Sequence, residues 1–84
     1  MKRLGATQRK LLVAVAICRR QRGTGPSWGA LQRAAGIHSR AELHVRLTTL
    51  RDQGLLTWAD EQPYSTDITR RGVAVALARD EARA

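Results

Sequence analysis

Phenylalanine is absent, and aromatic residues make up only 4% of the chain. Any core must therefore be aliphatic, drawn from Leu, Val, Ile and Ala. Cysteine occurs once, as Cys18, which excludes an intrachain disulfide. It ends the apolar run Leu11 to Cys18, where a free thiol acts as a small hydrophobe. That run spans about eight residues, against roughly 20 for a membrane span. An Arg19-Arg20 pair follows it, where a signal peptide would carry a small-residue cleavage site. Acidic residues are scarce too, 7 against 15 Lys and Arg. No carboxylate pair and no nucleophile–base pair is visible, so the chain is not expected to be an enzyme. The two histidines have no Cys or carboxylate partner at ligand spacing, so neither a metal nor a cofactor is expected.

What is present is positive charge. The 84 residues carry a formal net charge of +8. The isoelectric point is near 11.5, the electrostatic footprint of a nucleic-acid binder. The charge is uneven: residues 1–51 sum to +10 and residues 52–84 to −2. A surface polarised in this way suits a polyanion. Hydrophobic residues form 43% of the chain, enough for one small domain with a modest core.

The order of elements follows from caps and periodicity. Residues 1–6, with Lys2 and Arg3, read as a flexible basic arm, and 7–84 as one domain. Thr7 is the expected N-cap of a first helix to Arg22, with Leu11, Val15 and Cys18 at i, i+4, i+7. Leu12, Val13, Ala16 and Ile17 widen its apolar face, as in a helix wedged between two neighbours or lining a dimer seam. Arg19, Arg20 and Arg22 near its end suit either the helix dipole or phosphate binding. Gly23 stops the helix, and Thr24-Gly25-Pro26 turns the chain. Ser27 caps a short helix, Trp28 to Ala35, with Leu31, Ala34 and Ala35 inward and Gly36 as its stop. Ile37 is a buried turn residue and His38 a solvated one. Ser39-Arg40-Ala41-Glu42 is a capping box, in which Glu42 reaches back. It opens a helix to about Gln53 with Leu43, Leu47 and Leu50 as core stripe, ended by Gly54. Leu55–Ala59 and Tyr64–Ile68 read as strands of a hairpin across Asp60–Pro63. Tyr64, Thr66 and Ile68 alternate, and Trp58 faces inward. Thr69 caps a last helix from Arg70 to about Arg83, with Val73, Ala74, Leu77 and Ala78 apolar. Arg70 and Arg71 at its start, and Asp80 and Glu81 near its end, oppose the helix dipole, which hints at another use for them.

This order is that of a winged helix-turn-helix, an α+β, mainly helical fold of three helices, a two-stranded wing hairpin and a C-terminal helix. Gly25-Pro26-Ser27, Gly36-Ile37-His38-Ser39, Leu47, Leu50 and Gly54-Leu55-Leu56 resemble the DNA-binding domain of the LexA repressor. Ile68-Thr69-Arg70-Arg71-Gly72 is similar to the segment after the wing in MarR-type and PadR-type regulators. The resemblance implies a sequence-specific DNA binder, usually a dimer acting on transcription. No protease or effector domain follows, so autocleavage and effector sensing are not carried over. The wing tip, Asp60-Glu61-Gln62-Pro63, is acidic, whereas tips that enter the minor groove carry Arg or Lys.

At about 100° per residue, Ala41, Val45 and Thr48 lie opposite the leucine stripe, His44 lies at its flank, and Arg40 is at the exposed first turn, so these five are aimed outward. Their chemistry suits a major groove. Arg40 can fork onto guanine or clamp a phosphate. His44 and Thr48 can meet base edges, and Ala41 and Val45 a thymine methyl. Candidate phosphate contacts are Ser27, Trp28, Arg33, Ser39, Arg46 and Arg51, with Trp28 equally readable as a core ring. Candidate dimer residues are Leu12, Val13, Ala16, Ile17, Val73 and Leu77.

The expectation is a sequence-specific double-stranded DNA-binding protein. It is read as a small regulator or repressor, cytoplasmic and nucleoid-associated, working as a homodimer. It needs no membrane and shows no small-molecule effector. A phage or plasmid origin fits the lack of an effector domain. The alternatives are a winged-helix protein–protein interaction module of transcription or replication machinery, and an RNA-binding domain.

Overall fold

The computed structural model describes residues 5–62 and 64–77. Helix α1 (Ala6–Arg22) begins on Gly5, not Thr7. Gly5 is extended (φ −68°, ψ 161°), and its carbonyl accepts from Arg9 N–H. Ala6 is the strongest helix former available, so the helix takes it in and leaves Thr7 inside the first turn. Leu11, Leu12 and Val15 are fully buried, whereas Cys18 is only half-buried at the edge of the stripe. Gly23 ends α1 in the left-handed region (φ 77°), its N–H donating to the Arg19 carbonyl.

Helix α2 (Trp28–Ala35) starts on Ser27, whose Oγ accepts from Ala30 N–H at 3.1 Å. Leu31 and Ala35 face the core, but Ala34 is exposed, one step too far round the helix. Helix α3 (Arg40–Asp52) starts on Ser39, whose Oγ accepts from Glu42 N–H at 3.2 Å. The reciprocal half of the expected capping box is not made. The Glu42 carboxylate instead accepts from Arg46 Nε at 3.1 Å, one turn on. Leu43, Leu47 and Leu50 are fully buried. Truncating such a leucine costs about 2–5 kcal/mol, so this stripe anchors α3 firmly.

The hairpin is shorter than its sequence pattern. Strands β1 (Leu56–Thr57) and β2 (Asp67–Ile68) pair antiparallel, Leu56 opposite Ile68 and Thr57 opposite Asp67. The expected strand from Tyr64 does not form, and Tyr64 sits at φ 67°. The carbonyls it would offer are taken elsewhere. Gly25 N–H donates to the Tyr64 carbonyl at 2.9 Å. Arg19 donates to the Ser65 and Thr66 carbonyls at 3.2 Å each and lies 3.6 Å from Asp67. Ser65 Oγ also pins the loop, accepting from Ala59 N–H and donating to the Ala59 carbonyl. The end of α1 thus holds the wing where a longer ladder was expected.

Helix α4 (Arg70–Leu77) is capped by Thr69, whose Oγ1 accepts from Gly72 N–H at 2.9 Å and donates to the Gly54 carbonyl at 2.6 Å. Its inward face is Gly72, Val75 and Ala76, not the expected Val73, Ala74 and Leu77, which are exposed. The cap sets this rotation by docking Gly72 against the Leu55 backbone. Ala78 and the expected continuation to Arg83 lie outside the described residues, as do the arm residues Lys2 and Arg3 and the pair Asp80 and Glu81.

Gly72 needs to be glycine for space. A Cβ there would overlap the Leu55 carbonyl and come within 2.8 Å of an Ile68 side-chain carbon. Gly72→Ala gains up to about 1 kcal/mol of helix propensity. Overpacking against backbone costs about 1–3 kcal/mol or more. Because no rotamer relieves a backbone clash, the cost wins. Thermal unfolding should show Tm lower by about 5–15 °C; an unchanged or higher Tm would contradict the packing of α4 described here.

Candidate nucleic-acid interface

The turn between α2 and α3 sets the direction of α3. Gly36 adopts φ 70°, and Ile37, 6% exposed, buries its side chain while its N–H donates to the Gln32 carbonyl at 2.9 Å. Gln32 then acts twice more. Its Nε2 donates to the Ile37 carbonyl, and its Oε1 accepts from Arg40 Nε at 2.7 Å. The guanidinium of Arg40 is thereby held at the exposed start of α3, with its terminal nitrogens unengaged among the described residues. Gln32 is the positioning residue that sequence reading misses. It lies eight positions before Arg40 on another helix, and no local pattern joins them.

Of the expected base-reading residues, Arg40, Ala41, His44 and Val45 are exposed together on one face of α3, Val45 at 63%. Thr48 does not join them as expected. It is half-buried, and its hydroxyl is fully shielded with no hydrogen-bond partner. Its wheel position points away from the leucine stripe, but a wheel counts only the core of its own helix.

An aromatic cluster ties α3 to its neighbours. Trp28 lies 5.7 Å from His44, ring to ring, and meets Trp58 edge-on at 5.8 Å. Arg51 stacks over Trp58 at 4.2 Å. Both tryptophans are half-buried and pack on the core, as the core-ring alternative for Trp28 expects. Trp28, Arg40 and His44 line a crevice of about 440 Å³ together with the wing residues Trp58, Asp60 and Glu61.

The phosphate candidates divide. Ser27, Trp28 and Ser39 sit at the starts of α2 and α3, where free N–H groups and the dipole favour anions. Arg51 is stacked but exposed. Arg46 shares its charge with Glu42 in an i,i+4 pair. Arg33 turns toward α1, lining a groove that no α3 residue enters. The wing tip exposes Asp60 and Glu61, so its local charge is negative.

This arrangement has a counterpart among known proteins. The family described as LexA DNA binding domain matches residues 1–65, from the start of the chain to the inner side of the wing. The chain belongs to the LexA DNA-binding-domain family. It is a DNA-binding domain with a winged helix-turn-helix, a regulatory rather than an enzymatic fold. Strand β2 and α4 follow the matched segment. No curated protein matches the chain. Among the described residues no helix is long and apolar enough to cross a membrane.

The shielded Thr48 hydroxyl gives a clean test. An unpaired buried polar group costs about 1–3 kcal/mol, and an apolar group of the same shape removes that cost. Thr48→Val should therefore leave Tm unchanged or raised and duplex DNA affinity unaltered. A tenfold loss of affinity with the fold intact would mean that the hydroxyl turns outward to a base.

Proposed function

We propose that this domain reads double-stranded DNA by placing α3 in the major groove, as a small transcriptional regulator. The observation that carries the reading is the exposed cluster Arg40, Ala41, His44 and Val45 on a helix fixed by a buried leucine stripe. The side chains match groove chemistry. Arg40 offers two free terminal nitrogens to guanine O6 and N7, and the Val45 and Ala41 methyls suit thymine. Helix starts at Ser27 and Ser39, with Arg51 at the far end of α3, supply phosphate contacts that set register. The acidic tip stays out of the minor groove, because Asp60 and Glu61 there would face phosphates.

The domain acts as a homodimer through a groove between α1 and α4. Val13, Ala16, Ile17, Val73 and Leu77 line it around about 370 Å³. Its one cation among the described residues, Arg9, is occupied by the Ala76 carbonyl at 2.8 Å. A twofold contact through so neutral a face brings few like charges together. Leu12, expected in this seam, is fully buried in the monomer core and takes no part. Two copies would read half-sites about one helical turn apart.

A duplex site selected from random DNA tests base readout. Arg40→Ala or His44→Ala should weaken binding to it by about 1–3 kcal/mol and relax preference at one position. Neither change touches the core, so circular dichroism should be unaltered. Parent-like affinity in both variants would remove α3 as the reading helix.

Assembly is tested separately by sedimentation at micromolar concentration. The parent should run as a dimer and Val73→Glu with Leu77→Glu as a folded monomer, since these side chains are 39% and 69% exposed. A monomeric parent, with a selected site lacking an inverted repeat, would remove the dimer.

A further inference from the structure

A concavity of about 1200 Å³ lies away from α3, in the angle between α1 and α2. Its apolar lining is mostly small: Ala14, Cys18, Ala30 and Ala34, bordered by Ile17. On α1, Ala14 and Cys18 are four apart, as are Ala30 and Ala34 on α2, so each helix presents a low ridge. Ala34, exposed where an inward position was expected, is part of this lining. The rim carries Lys10, Arg22 and Arg33, with Arg9 drawn across to the Ala76 carbonyl of α4, and among the described residues no carboxylate lines the groove.

We propose that this groove docks an amphipathic helix of another protein whose apolar stripe is flanked by Glu and Asp. Two low ridges with a channel between them fit one helix, read at i, i+3, i+4 and i+7. The three rim cations select acidic flanks and steer the encounter. Apart from Ser27 at one edge, the floor between the rim cations is apolar, and a nucleic acid would leave it uncovered. A second copy of this chain is disfavoured as well. A twofold contact at this face would set the rim cations of one copy against the same cations of the other. Val13 and Ile17 form the ridge between this groove and that between α1 and α4, as both grooves include them. The two surfaces therefore lie on opposite sides of one ridge, and the domain can hold a second copy and an acidic partner on separate faces.

The test uses the full chain and a synthetic helical peptide of about four turns, with Leu at helical spacing and Glu on its flanks. Fluorescence anisotropy of the labelled peptide should show saturable binding. A peptide with Gln replacing Glu should bind about tenfold more weakly. Lys10→Glu with Arg22→Glu should weaken the Glu peptide by a similar factor, with circular dichroism and selected-duplex affinity retained. Ala34→Glu, at an exposed helix position, should do the same through the floor. Because Cys18 is the only thiol in the chain, its rate of modification reports occupancy. It should slow several-fold with the Glu peptide and not with the selected duplex. Equal binding of the Glu and Gln peptides, parent-like binding by the variants, or unslowed Cys18 would overturn the proposal. Slowing by the duplex would reassign the groove to nucleic acid. Self-association of the chain abolished by Lys10→Glu with Arg22→Glu would reassign it to a second copy. Either reassignment overturns the proposal.

Discussion

Two backbone-on-backbone contacts hold the wing to the helical body, and the reading face depends on them. Gly25 lies against the Thr66 backbone so closely that a Cβ would overlap its carbonyl, and Gly72 lies in the same way against Leu55. A hairpin with two residues in each strand has almost no ladder and would not persist alone. It persists because Gly25, Arg19 and Thr69 satisfy its backbone from three other parts of the chain. With β1 fixed, Trp58 is placed to meet Trp28, and Trp28 to meet His44. The geometry of the exposed α3 face thus traces back to glycines distant from it.

Local signals were the legible part of the sequence. The caps Ser27, Ser39 and Thr69 act within three residues, and each hydroxyl accepts the expected amide. The stripe Leu43, Leu47, Leu50 is a single-helix property, and all three are fully buried. What sequence pattern missed was set by long-range geometry. Arg19 looked like a dipole partner or phosphate ligand, yet it spends its donors on carbonyls 46 and 47 residues away. Tyr64 to Ile68 alternates like a strand, but competition for its carbonyls breaks the ladder. The α4 face turned because a glycine, invisible to hydrophobic periodicity, makes the closest approach. Thr48 failed for a related reason, since a helical wheel does not show a neighbour covering the far side.

The asymmetry of charge along the chain has a spatial counterpart. The reading helix and the α1–α2 groove carry cations, the wing tip carries carboxylates, and the α1–α4 groove is almost uncharged. Long-range attraction of this kind brings a domain to DNA without specifying sequence. Specificity must come from a few oriented groups, and here Gln32 fixes Arg40 while Trp28 flanks His44.

The central claim, that α3 enters the groove, is most directly tested by amide chemical-shift mapping with a selected duplex. The largest shifts should fall at the start of α2 near Ser27 and Trp28 and along α3 from Arg40 to Val45, with the wing tip and the outer face of α1 little changed. Largest shifts on α1 or α4, with α3 unperturbed, would contradict it.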